Sequence, residues 1–423
     1  MLSYLRTRPI MESAALGIVL LLPVLLLHSR PLTEVGIGVV GLLFVVTSGR
    51  SGNWSWLIQD WMAVGLAWWG WTLMSTMLHF TDGDAPRLVQ AVLTVRFLVF
   101  TAALQHWVLG PVEARRALLT SLALSTLYVG LQVILQFATG HNLYGIPRYG
   151  DGSLTGPFAK PRAGPTFVRM VFPPLMSGVG ALFARAGLVG RGGALAMVLG
   201  AVAVTVLIGQ RMPVALLLLG LASAALFMPG LRRVALVAVI AGAAFVAASA
   251  TISPPTFYRL VTKFSTQIEH FPETHYGQIA SRAVLIGREN PLTGLGYAGF
   301  LAACKDPRYP NGTFYPDSGT DDDGSIGRCA IHPHNHYLQA LDDGGVPGLL
   351  LFCALVALWL ARLGRGLWRD PDPVRVGLFV AALIQEWPIA STSPIVSLPL
   401  GGWLFLLVGF GLAAADAAQI RRT

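Results

Sequence analysis

The chain has 423 residues, 54% of them hydrophobic and 12% charged, with a mean hydropathy of +0.61 and a formal charge of +9. Length alone would suggest two or three soluble domains, but a chain this apolar cannot cover its own surface with polar groups, so that class is excluded. It reads as an all-α polytopic membrane protein. Stretches of about 20 apolar residues, enough to cross a hydrocarbon core of roughly 30 Å as helices, recur almost end to end.

Twelve spans are predicted, at residues 11–28, 33–48, 57–79, 89–109, 116–138, 166–184, 193–209, 212–229, 234–251, 337–361, 376–391 and 395–415. The first follows Arg6 and Arg8 as the apolar part of a signal peptide would, yet no small-residue cleavage site follows "LLLHSRPLTE" and it is read as a retained helix. Trp54, Trp56, Trp61, Trp68, Trp69 and Trp71 crowd the third span and its approach, as interfacial aromatic belts do. Asp60 and Arg96 fall in neighbouring spans, where charge is costly unless paired, and a structural ion pair between them is one expectation. Two connections are too long for turns: residues 139–165, rich in Gly and Pro, and residues 252–336. The chain therefore divides into nine spans over 1–251, a loop domain over 252–336, and three spans over 337–423. Within the loop domain, Phe257, Leu260, Val261, Phe264 and Ile268, and then Ile279, Ala283, Val284 and Ile286, recur at helical spacing. Short amphipathic helices lying over the membrane face are expected there.

Basic residues set the orientation. With both termini cytoplasmic, the inner segments hold fifteen arginines, Arg6 to Arg422, against six Lys and Arg in the short outer loops: Arg30, Arg87, Arg148, Lys160, Arg162 and Arg211. The positive charge thus reports topology, and arginines dispersed among spans argue against nucleic acid as a partner. Cys304 and Cys329 both fall in the long outer loop, where an oxidising compartment would let them close a loop of about 25 residues, worth ~3 kcal/mol in the loop-entropy account. The acidic run "DSGTDDDG", Asp317 to Gly324, lacks the ligand spacing of a calcium loop and reads as solvated.

The outer side also gathers polar residues with chemical potential. His332, His334 and His336 alternate in "IHPHNHYLQALDDGGVPGLL", which would suit zinc if the segment were extended, but Pro333 interrupts it and no Cys lies close by. Imidazoles at headgroup level, or a base in a polar pocket, are the other readings, the latter because a neutral imidazole is well suited to accept a proton from a hydroxyl. Arg211 sits in a minimal turn between two apolar helices, where it either snorkels to lipid phosphates or binds a substrate anion. Arg162, Arg282 and Glu386 join it on the same side.

His334 and Asn335 followed, after nine residues, by "GVPG", Gly345 to Gly348, resemble the His-Asn and Gly-x-x-Gly signature of the bacterial O-antigen ligase and polymerase superfamily. "SRAVLIGRENPLTGLGYAGF", Ser281 to Phe300, is similar to that family's Arg followed by P-x-x-G-x-G-x-x-x-F. Arg211 resembles the arginine at the corresponding helix turn, and "PRAGPTFVRMVFPPL" resembles a third segment, without the Asn usual there. The resemblance implies a GT-C-like, inverting glycosyltransferase of the bacterial inner membrane, with its active site facing the periplasm and no need of metal or nucleotide. It also implies an undecaprenyl-diphosphate-linked O-antigen as donor and lipid A core as acceptor. O-antigen polymerases and protein O-oligosaccharyltransferases share the donor class, and a lipid-linked oligosaccharide transporter is the reading from a different class.

That chemistry suits the residues. Displacing a diphosphate leaves negative charge on the departing oxygen, and arginine forks hold phosphate oxygens in pairs, so Arg211, Arg282 and Arg162 are the expected clamp. His334 is the expected general base, with His336 and Glu386 as alternates. Gly345 and Gly348 are expected on one face of the tenth span, where another helix can approach closely, with a kink at Pro347.

Overall fold

The computed structural model describes residues 9–420 except positions 82, 186, 304–305, 307, 310–331 and 391. Among these residues there is no strand, only one isolated bridge between His141 and Pro147. The helices are α1 (Ile10–His28), α2 (Arg30–Ser51), α3 (Asp60–Leu78), α4 (Ala85–Val108), α5 (Val112–Thr139), α6 (Ala163–Phe183), α7 (Leu188–Ile208), α8 (Arg211–Phe227), α9 (Leu231–Ile252), α10 (His275–Glu289), α11 (His336–Gly364), α12 (Pro373–Gln385) and α13 (Leu400–Ile420). A helix stands at each of the twelve predicted positions. Nine of those described are long and apolar enough to cross a membrane. The exceptions are α3, with its tryptophans, and the shorter α8 and α12, of 17 and 13 residues.

Local chemistry sets the ends. Ser29 accepts a hydrogen bond from the Leu32 amide and Pro31 opens α2, while Gly52, Gly140 and Gly209 adopt left-handed backbone to close α2, α5 and α7. α13 is apolar around its whole circumference and buried along most of its length, so it forms the centre of the bundle. α12 reaches it by packing tightly on α6: a Cβ on Gly377 would lie 2.6 Å from the Phe172 carbonyl oxygen, where Pro173 and Pro174 follow in α6.

Two expectations are corrected by this packing. Asp60 does not meet Arg96: it pairs with Arg362 of α11 at 2.7 Å, while Arg96 faces Glu34 of α2 at 3.8 Å. The predicted eleventh span stops at Gln385 instead of continuing to residue 391. Pro388, Pro394 and Pro399 cannot extend a helical ladder, and the described residues of 386–399 run as an irregular segment between α12 and α13.

The approach at Gly345 is also not by a helix. At Gly345 α11 is broken, with φ 64° and ψ −162°, two residues before Pro347. The "PLTGLGYAGF" loop fills the break. Leu295 and Gly296 amides donate to the Asp342 and Asp343 carbonyls at 2.7 and 3.0 Å, Val346 donates to Pro291 O at 2.7 Å, and Trp71 Nε1 caps Gly344 O at 2.7 Å. Carbonyls freed by the break are therefore satisfied from the loop and from α3. Glycine is required on both sides of this clasp: a Cβ at Gly345 would meet Pro291 O at 2.6 Å, and one at Gly294 would meet Asp342 O at 2.5 Å.

The loop domain does contain the expected helices. Ile279, Ala283 and Ile286 of α10 pack with Phe300, Ala303 and Tyr309 into a small separate core. The preceding stretch, Pro254–Phe257 through Lys263–Glu269, buries Leu260 but leaves Val261, Phe264 and Ile268 largely exposed.

Candidate functional site

The site forms where α11 begins. Asn335 caps the helix, its Oδ1 accepting the Tyr337 and Leu338 amides at 2.9 and 3.1 Å, and its Nδ2 donates to Pro388 O at 2.7 Å. That second bond ties the helix start to the irregular 386–399 segment. His334, one residue earlier, has φ +53°, a left-handed conformation that costs a non-glycine residue of order 1–3 kcal/mol and concentrates at functional sites. A two-point bridge holds it there: the Thr392 amide donates to His334 O at 2.9 Å, and His334 Nδ1 donates back to Thr392 O at 3.3 Å.

The Thr392 carbonyl also accepts from His332 Nε2 at 3.0 Å. A carbonyl can only accept, so each ring must present an N–H to it, which fixes both neutral tautomers. The lone pair of His332 then lies on Nδ1 and that of His334 on Nε2. The two rings lie 4.1 Å apart between centroids, tilted by 55°, and the Tyr276 ring meets His334 edge-on at 5.5 Å. Burial, helped by the neighbouring His334, pushes the His332 pKa down to about 3, so this ring stays neutral.

His336 is turned elsewhere. Its Nδ1 meets both carboxylate oxygens of Glu386 at 3.0 and 3.1 Å, and its Nε2 meets Ser393 O at 3.0 Å and Thr392 Oγ1 at 3.2 Å. Both ring nitrogens are occupied, so it braces the 386–399 segment and offers no nitrogen to an incoming hydroxyl. The three imidazoles do not converge on one point as zinc ligands would. No group of three or more His, Cys, Asp or Glu suited to a metal occurs among the described residues.

One residue that the sequence reading passed over is central. Arg169 of α6 is 5% exposed and donates from Nη2 to Thr392 Oγ1 at 3.0 Å and from Nη1 to Pro165 O at 2.8 Å, with Glu386 in electrostatic reach. Its signal was an arginine inside the apolar "TFVRMVF", two helical turns after the more conspicuous Arg162. Thr392 offered no comparable signal.

The expected clamp residues are distributed around this cluster. Arg211 opens α8, lies over the Phe264 ring at 5.4 Å and has Tyr276 in electrostatic reach, so Tyr276 links it to His334. Arg259 braces the turn before it, donating from Nε to Gly209 O at 2.8 Å and pairing with Asp151. Arg162 is exposed at the start of α6, and Gln210 Nε2 bonds Pro161 O at 2.7 Å, so the Arg162 and Arg211 turns are adjacent. Arg282 stands apart. It is 2% exposed, donates to Ala303 O at 2.6 Å, lies over Phe300 at 5.3 Å, and keeps Nε and Nη1 without a hydrogen-bond partner among the described residues. Burial lowers its pKa against the opposing pull of Asp342 and Asp306. Cys304, Cys329 and the acidic run lie outside the described residues.

A family model described as O-antigen ligase matches residues 181–353. That span holds Arg211, Arg282, His334 and Gly345 and leaves out Arg162, Arg169, Glu386 and Thr392. None of the curated proteins matches the chain.

Proposed function

We propose, from the match of residues 181–353 to the family model described as O-antigen ligase, that this chain transfers a glycan from a polyprenyl diphosphate to a sugar hydroxyl of lipid A core. The carrying observation is the bond from His334 Nδ1 to Thr392 O, because it commits the neutral ring to a basic Nε2. In this reading His334 Nε2 takes the proton of the acceptor hydroxyl as its oxygen attacks the anomeric carbon. The new glycosidic bond forms with inversion as the bond from that carbon to the diphosphate oxygen breaks. General-base assistance of this kind is worth roughly a hundred to ten thousand fold in rate.

The leaving diphosphate carries its charge to Arg211, which approaches His334 through Tyr276, with Arg162 beside it at the rim. Arg282 supports the same role through two buried nitrogens, Nε and Nη1, that lack a hydrogen-bond partner among the described residues, as a guanidinium that binds an anion would. The arginine bias of the loops supports a reading with both termini in the cytoplasm and the histidines facing the periplasm. A transporter would carry its polar groups along a path at mid-bilayer, whereas here His332, His334, His336, Glu386 and Arg169 gather around the start of α11.

The test uses purified full-length protein, an undecaprenyl-diphosphate glycan, and three acceptors in turn: lipid A core, a second lipid-linked glycan, and a peptide bearing Ser and Thr. Transfer to lipid A core by the wild type and its loss in a folded His334→Ala variant are expected. Full transfer by that variant would remove the base assignment, and transfer only to the second glycan would reassign the chain as a polymerase.

A further inference from the structure

Beside the histidines lies a cavity of about 520 Å³, within the range of small-molecule sites, walled by α2, α4, the 297–300 turn and the start of α11. His332 lines it, whereas Arg211, His334 and Tyr276 do not. Ring contacts run from the cavity to His332, then His334, then Tyr276, and Arg211 lies within electrostatic reach of Tyr276. The diphosphate clamp and the cavity thus flank the histidine pair.

The lining selects a class of ligand. Arg30 and Arg96 contribute two cations, but both face Glu34, at 3.3 and 3.8 Å, and Asp343 lies on the same wall. Glu34 engages both guanidiniums, so neither is left over to clamp a diphosphate, and the same charged groups repel an acyl chain. What fits is a neutral polyol: the guanidiniums donate, the carboxylates accept, Gln90 and Gln339 do both, and Tyr297 and Phe300 supply ring faces. His332 adds a specific handle. It is 8% exposed, its Nε2 is engaged by Thr392 O, and its Nδ1 has no hydrogen-bond partner among the described residues. A buried lone pair of that kind is costly unless a ligand supplies an O–H.

We propose that this cavity holds the terminal sugar of the acceptor, with His332 Nδ1 accepting a hydrogen bond from a sugar hydroxyl next to the attacking one. The inference rests on the proposed transfer reaction and gives it a geometry, since inversion requires acceptor and leaving group on opposite faces of the anomeric carbon. His332 remains neutral at any working pH, so it acts as a hydrogen-bond acceptor while His334 takes the proton.

The experiment compares wild type with Ser397→Phe, which fills the cavity, and His332→Gln, whose amide can keep the bond to Thr392 O but loses the acceptor at Nδ1. Each variant, as full-length protein in nanodiscs, is assayed for the KM of each substrate and for direct binding of rough lipopolysaccharide without donor. We expect at least a tenfold rise in acceptor KM and a matching loss of binding for Ser397→Phe, a three- to tenfold rise for His332→Gln as befits one hydrogen bond, and unchanged donor KM in both. Unchanged acceptor KM in both variants, or a rise in donor KM instead, would overturn the assignment. If the wild type binds rough lipopolysaccharide, Ser397→Phe does not, and no transfer occurs with any acceptor, the cavity assignment stands and the reaction is what fails.

Discussion

Replacing Gly345 with alanine tests the clasp that holds α11 in its broken form. The native φ of 64° and ψ of −162° lie in a region essentially reserved for glycine, which costs a side chain about 1–3 kcal/mol. The new Cβ would also sit 2.6 Å from Pro291 O and 2.7 Å from Leu292 C, backbone atoms that cannot swing aside, and overpacking of that kind costs about another 1–3 kcal/mol. The expected destabilisation is therefore about 2–6 kcal/mol, read as the unfolding free energy in mixed micelles by tryptophan fluorescence. Gly38→Ala in α2 is the control, because its Cβ would meet nothing within 4 Å and a helical alanine is better than glycine by ~1 kcal/mol. A Gly345→Ala protein within about 0.5 kcal/mol of wild type would refute the reasoning, since neither the backbone conformation nor the contact with the loop could then be as described.

Thr392→Val should lower kcat with little change in donor KM, because it keeps the shape and the carbonyl but strands a buried Arg169 N–H, at a cost of about 1–3 kcal/mol; Thr392→Ser should retain near wild-type turnover. Arg211→Ala should reduce kcat/KM for the donor by roughly a hundredfold, the loss of a charge-assisted pair of hydrogen bonds, whereas exposed Arg162→Ala should cost well under that because solvent screens it; equal losses would remove the distinction. His332 supplies a pH test. Its folded pKa lies below its unfolded one, so the unfolded chain binds more protons between about pH 6.5 and 3; its contribution is full above that window and lost as pH falls, by at most about 1.4 kcal/mol per unit. Wild type should therefore lose thermal stability from pH 7 to pH 5 faster than His332→Gln, and parallel curves would contradict a buried neutral ring.

Much of the scaffold was legible because apolar runs of span length have few alternatives to helix, and a helix stands at each predicted position. Partners were less legible. Asp60 and Arg96 look like neighbours in a hydropathy plot, but helices meet by faces, and Asp60 finds Arg362 some three hundred residues away. Arg162 drew attention by standing at a loop, while Arg169, seven residues on, turned out to reach Thr392 from within the bundle. The apolar run after Pro373 masked three prolines that end α12 early, and the irregular stretch they create supplies the carbonyl on which two histidines converge. A backbone carbonyl has no letter in a sequence, so the device that fixes the His334 tautomer could not be read there. The choice of His334 over His336 followed from the spacing to "GVPG" alone; the bonds of His336 to Glu386, Thr392 and Ser393 are set by the fold and have no mark in the sequence.

The clasp between the 291–299 loop and the broken α11 bears on how such proteins can be recombined. The loop amides end on the carbonyls of residues 342 and 343, and the glycines at 294 and 345 each make room for the other strand of chain. They are two halves of one joint separated by some fifty residues of sequence. A chimera that imports the segment between α9 and α11 from a relative, to change which acceptor it serves, must bring the helix break with it. Grafted alone, the new loop would arrive without the socket into which it locks.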